Sequence, residues 1–256
     1  MSDDEREQLA EGTLISHLIE LRERLIKAVL AVGIAFVPCA IFSDRLFTLI
    51  ATPLLAKLPQ GASMIATSVV SPFMAPLKLA LFVALFIAMP FVLYQAWAFV
   101  APGLYRHEKR FAVPLVVSSI VLFYAGTAFA YFVVFPLMFA FLTATAPQGV
   151  LVMTDIANYL DFVLLLFFAF GIAFEIPVAT VLLASTGLVQ VDAMARNRGY
   201  VLLGIFVIAA FITPPDAISQ SAMAVPMYLL YEIGIVLSRM LLKQKRQREE
   251  EQSASS

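Results

Sequence analysis

The chain has 256 residues, of which 61% are hydrophobic and 14% charged, with a formal net charge of −1 and a mean hydropathy of +0.91. Soluble domains carry about 45–50% apolar and about 25% charged residues, so a soluble globular domain is excluded. The single cysteine, Cys39, rules out an internal disulfide and a multi-thiolate zinc site, and no nucleic-acid-binding basic surface is expected.

In chain order, the first eleven residues are polar and acidic and lack the basic start of a cleaved secretory signal. The first apolar segment is therefore expected to be retained as an anchor. Leu14, Leu18, Leu21 and Leu25 recur at helical spacing, which predicts an amphipathic helix along the cytoplasmic surface, entering a first span at Leu25–Phe42. Glu20 stands four residues before Arg24, and Glu23 four before Lys27. Such pairs support a helix by about 0.2–0.5 kcal/mol. Glu20 therefore has two readings, helix support or ligand binding. His17 lies beside the stripe, with no second ligand near it for a metal.

Leu46–Leu58, with Pro53 at its middle, is read as a segment along the membrane surface. Pro72 and Pro76 are read as a break before the second span, Leu79–Val100. Pro102 and Gly103 end that span. The following loop places Glu108 among Arg106, His107, Lys109 and Arg110. It is either charge balance or a carboxylate oriented for a cationic ligand, since carboxylates hold guanidinium groups by short charge-assisted hydrogen bonds.

The third span is Phe111–Phe135, and Pro136 opens a loop to Asp161 containing at least one helical turn. The fourth span, Phe162–Ala184, contains Glu175 and Pro177. An acid within a span is costly and commonly functional, and the proline predicts a kink beside it. Tyr200–Ile212 has 13 residues, which reach only about 20 Å. Thr213, Pro214, Pro215 and Asp216 form the next turn, with Thr213 expected to cap the sixth helix and Asp216 three residues on. Gln220 is a polar group for helix–helix contact. The last span is Ala217–Leu237, in which Glu232 is expected to snorkel or meet Arg239.

Orientation follows from the basic residues. With six spans, alternate connections leave only Arg45, Lys57 and Lys78, of 17 Lys and Arg, on the outer side. Both ends are then cytoplasmic, and the short fifth segment must cross for the basic tail to lie inside. The expected fold is all-α and polytopic, with six transmembrane helices of which the fifth and sixth are short. Residues 1–242 form the membrane domain, and 243–256 are read as a disordered cytoplasmic tail. Hydrolase, P-loop and zinc-protease motifs are absent, so no enzyme is expected.

Five segments taken together resemble one family. They are Ser16–Arg22 (SHLIELR), Ala101–Glu108 (APGLYRHE), Phe170–Pro177 (FGIAFEIP), Thr213–Asp216 (TPPD) and Pro226–Gly234 (PMYLLYEIG). In this order they are similar to the TatC subunit of the twin-arginine protein translocase. The resemblance implies a cupped helix bundle in the bacterial cytoplasmic (inner) membrane. It implies a receptor for twin-arginine signal peptides of folded cargo proteins, driven by the proton-motive force and without a cofactor. It places Glu20 and Glu108 on the arginine pair, with Phe99, His17 and Arg22 beside them. Glu175 becomes the polar point of the concave face. Thr213 and Gln220 become docking positions for the single-span subunits TatB and TatA in a multi-copy complex. The alternative is a proton-coupled small-molecule secondary transporter with Glu175 as relay. Against it, the sequence shows neither an internal repeat nor a pair of matching broken spans.

Overall fold

A computed structural model describes residues 3–55, 64–100, 109–144, 154–213 and 216–254. Helices dominate them. In chain order they are α1 (Asp3–Ile41), α2 (Ser43–Leu55), α3 (Ser71–Val100), α4 (Lys109–Phe129), α5 (Phe135–Ala144), α6 (Ile156–Ala173), α7 (Ile176–Ser185), α8 (Val191–Arg196), α9 (Arg198–Ile212) and α10 (Ala217–Ala254). A π-helical turn, Ala130–Val134, joins α4 to α5. Two two-residue strands, β1 (Met64–Ile65) and β2 (Thr154–Asp155), pair in parallel.

Five stretches are long and apolar enough to cross a membrane: Ile15–Ile41, Ser71–Val100, Val113–Met138, Ile156–Ser185 and Ala217–Gln244. The apolar helix α9 is shorter, at 15 residues or about 22 Å. The all-α, multi-span expectation holds, as does the short fifth helix. The expectation of a short sixth helix does not, because α10 runs for 38 residues. It continues through the charged segment that was expected to be disordered, as far as Ala254. Lys, Arg, Gln and Glu fill that segment, and all four have high helix propensity, so a helix already nucleated in the span propagates through them.

The N-terminal amphipathic segment runs into the first span as one continuous helix, α1, as expected, and two further boundaries differ from the sequence reading. Pro76 lies inside α3, which starts at Ser71 with Pro72 in its first turn, where a missing N–H costs nothing. Pro136 does not open a loop. The chain widens to i→i−5 bonding just before it, with the Phe135 N–H donating to the Ala130 carbonyl, and the helix resumes to Ala144. The wider turn relieves the clash that a proline ring makes with the carbonyl four residues earlier.

The chain divides into two compact units, Met1–Ala51 with Pro76–Val116, and Thr52–Ala75 with Val117–Ser256. In the first, small residues set the approach of α1 and α3. Cys39, Ala80 and Ala84 are buried together, ringed by Ala35, Phe36, Leu46 and Val83. Such residues let membrane helices pack closely, where van der Waals contact replaces the hydrophobic drive.

In the second unit, Phe123, Phe135, Phe170, Leu166 and Met223 are fully buried. Phe129 sits 5.7 Å from Phe170 and 5.6 Å from Phe174, and Phe135 meets Tyr159 edge-on at 6.0 Å. α10 packs along α7, where Gly234 faces Thr180 and Pro177 so closely that any Cβ would overlap the Thr180 hydroxyl. Ala184, Val191, Met194, Tyr231 and Ile235 close the base of this unit. The Tyr231 hydroxyl donates to the Met194 carbonyl at 3.0 Å, tying α10 to α8.

Candidate functional site

On α1, residues 17, 20 and 24 share one face, because they are spaced by three and four positions. The same holds for Gln95 and Phe99 on α3. The two faces meet as a ladder. At one end the His17 ring stacks on Phe99, with centroids 4.3 Å apart and planes 19° from parallel. At the other, Arg24 Nη1 donates to Gln95 Oε1 at 3.3 Å. Glu20 lies between them. Its Oε1 accepts from Arg24 Nε at 2.9 Å and from Nη2 at 2.7 Å. Its Oε2 lies 4.0 Å from His17 Nδ1.

The Glu20 side chain is 37% exposed, so it is held in place yet open to a ligand. Gln95 is buried, and a buried amide needs partners; Arg24 supplies one. The helix-support reading of Glu20 is therefore real, since the pair forms, but it leaves the second oxygen available. Arg22 is exposed and two positions from Glu20, about 200° around the helix, so α1 does not bring it to this face. Glu108 lies outside the described residues, as do Pro214 and Pro215.

Glu175 sits where the fourth span breaks. α6 ends at Ala173 and α7 begins at Ile176, with Pro177 in its first turn. The Glu175 N–H turns back to the Ile172 carbonyl at 2.9 Å, and its own carbonyl accepts from Ala179 at 2.8 Å. The kink is thus a break, made by the N–H that Pro177 lacks. The Ser119 hydroxyl, fully buried on α4, donates to Glu175 Oε2. Ser119 was not singled out in the sequence, although a hydroxyl within a long apolar run was the available signal. Gln95 was missed in the same way; its spacing of four from Phe99 marks it.

The turn after α9 reverses the expected capping roles. Thr213 closes α9 rather than opening α10, since its hydroxyl donates to the Ala209 carbonyl at 2.9 Å and its side chain is buried. Asp216 is the cap of α10, accepting from the Ser219 N–H at 2.7 Å. Gln220 follows one turn later, half-buried, its N–H bonded to the Asp216 carbonyl.

Glu232 pairs with Arg198 rather than Arg239. Arg198 Nη2 donates to Oε2 at 2.8 Å, Nε lies 2.6 Å from Oε1, and the Tyr228 hydroxyl donates to Oε1 at 2.8 Å. Arg239 instead lies 3.7 Å from Asp192. Among the described residues, no three His, Cys, Asp or Glu side chains gather as a metal site.

Residues 16–226 match the family model for TatC, described as Sec-independent protein translocase protein. The chain belongs to the TatC family. It is 56% identical over 222 residues to the Sec-independent protein translocase protein TatC of Azotobacter chroococcum mcd 1, covering 87% of each chain. It is 53% identical over 237 residues to that of Escherichia coli K12, covering 93% of this chain and 92% of the relative. A crystal structure of the twin arginine translocase receptor TatC superposes with a TM-score of 0.78 at 39% identity, covering 88% of this chain and 98% of that one. The resemblance seen in the five segments is therefore correct. TatC proteins are non-enzymatic membrane subunits of a protein translocase, and this chain is a multi-pass member.

Proposed function

We propose that this TatC-family protein is the subunit that receives twin-arginine signal peptides of folded cargo in the bacterial inner membrane. Glu20 and Glu108 accept the two guanidinium groups, with His17 and Phe99 forming the aromatic wall beside Glu20. The observation that carries this reading is the Glu20 carboxylate, held at one oxygen by Arg24 of its own helix, which is itself tied to Gln95 of α3, and left open at the other. A carboxylate fixed in this way has already lost the side-chain entropy that binding would otherwise remove. Arg22, on another face of α1, is left out of the cluster.

The chain crosses six times with both ends in the cytoplasm, as the placement of its basic residues supports. Single-span TatA and TatB subunits dock near Gln220, at the turn between α9 and α10. Thr213, with its hydroxyl bonded inside α9, shapes that turn. Several copies assemble, and transport draws on the proton-motive force.

The test is photo-crosslinking from positions 20 and 108 to a twin-arginine signal peptide in native membranes. Crosslinks from both are expected, with loss of at least about tenfold in yield at the remaining position when either acid becomes alanine, if each guanidinium contact contributes about 1.5–3 kcal/mol. Undiminished crosslinking in both alanine variants removes the reading.

A further inference from the structure

Glu20 already holds a guanidinium, supplied by Arg24. Both contacts fall on one oxygen, Oε1. A ligand guanidinium docking side-on takes both oxygens of a carboxylate, and that geometry is closed while Arg24 keeps Oε1. Arg24 is also more than a helix-surface pair. Its third contact, Nη1 to Gln95 Oε1, reaches a buried acceptor on α3. The guanidinium thus sits between two acceptors, one charged and open to solvent, the other neutral and enclosed.

We propose that Arg24 is a resident guanidinium which an incoming arginine displaces from Glu20, and that Gln95 holds Arg24 while the ligand is bound. This rests on the receptor reading above and adds how that site is regulated. The exchange replaces one guanidinium by another on the same carboxylate. Arg24 retains a hydrogen bond throughout, so no buried donor or acceptor is stranded. The empty site stays neutral and ordered, and weak stray cations must compete with a tethered occupant before they bind.

The test is fluorescence anisotropy of a labelled synthetic twin-arginine signal peptide on the full-length protein in nanodiscs. Four proteins are compared: the unaltered chain, Arg24→Gln, Gln95→Leu and Glu20→Gln. Arg24→Gln removes the competitor and is expected to tighten binding about two- to five-fold, the range of an exposed ion pair. Gln95→Leu removes the alternative acceptor and is expected to weaken binding by a similar factor. A residue that merely scaffolds the site would move both variants in the same direction.

Arg24→Lys keeps the charge without spanning both acceptors, and it carries the test if Arg24→Gln does not fold; it too is expected to bind tighter. Weaker or unchanged binding in Arg24→Gln or its substitute, with binding lost in Glu20→Gln, overturns the exchange alone. Unchanged binding in Glu20→Gln overturns the receptor site and the exchange with it.

Discussion

Single side chains decide how closely these helices approach. Gly126 on α4 is a case where only hydrogen fits. A Cβ there would overlap the Phe170 carbonyl oxygen and come within 2.8 Å of the Phe174 ring. The carbonyl belongs to the α6 backbone and cannot step aside. Gly126→Val should therefore destabilise the second unit by about 1–3 kcal/mol, as overpacking does elsewhere. Gly204 on α9 has nothing within 4 Å of a Cβ, so Gly204→Ala should be neutral or stabilising. Thermal unfolding of both variants in detergent separates the two cases. The sequence offers no means of telling these glycines apart, since the difference lies in the neighbouring helix. Glu20 stood out in the sequence by its type and its spacing to Arg24, whereas His17 and Phe99 were tied to it only by the family resemblance. Arg24 was already marked by its spacing of four from Glu20, whereas Gln95 became visible as its partner only when α1 and α3 were laid together.

Elements here begin and end by local rules, some of them written on one residue. Asp155 is the clearest. Its Oδ1 accepts from the Ala157 and Asn158 N–H groups at 3.0 Å, capping α6. Its Oδ2 accepts from the Thr67 hydroxyl at 2.6 Å and the Thr67 N–H at 2.9 Å, fastening β1 to β2. These bonds, the Thr67 hydroxyl foremost, hold its carboxyl down at about 2 rather than 3.8. A depressed carboxylate stabilises the fold fully above its unfolded value, and that contribution fades as pH falls toward the folded value. The clamp should therefore be intact at pH 5 and about half released near pH 2. Amide-exchange protection of Thr67, measured against its neighbours, reports this, and Asp155→Asn should remove the pH step. Protection that is flat across the range would contradict it. The break at Glu175 was foreseeable because Pro177 withholds a donor whatever surrounds it. The helical passage through Pro136 was not, because a π turn is a choice made by packing. Thr213 and Asp216 both fit a cap on sequence alone, and the hydrogen bonds assign them to opposite helices.

At the scale of the whole chain, apolar run lengths made the five long apolar helices and the shorter α9 legible before any coordinates. The joints between spans were less so, since they depend on pairs far apart in sequence. α9 and α10 pack side by side, with α9 ending beside Thr213 and α10 beginning after Asp216. At the other end of α9, Arg198, Glu232 and Tyr228 join the two helices. Both charges are partly exposed, so the pair is a modest clamp. Either Arg198→Glu or Glu232→Arg should lower the unfolding temperature of the solubilised protein. The double swap should recover much of the loss, which is the signature of direct coupling. Equal losses that simply add would show the two residues act apart.

The unbroken course of α10 has a mechanical result. The apolar part, Ala217–Gln244, and the charged segment to Ala254 are one continuous helix, in which Gly234, the one glycine after Pro226, is packed against Thr180 and Pro177. A small tilt of the helix within the membrane is magnified at its charged tip. A twist about its axis arrives there undiminished. A displacement of α10 near Gly234 is therefore carried to its charged end, about 30 Å further along the same helix axis.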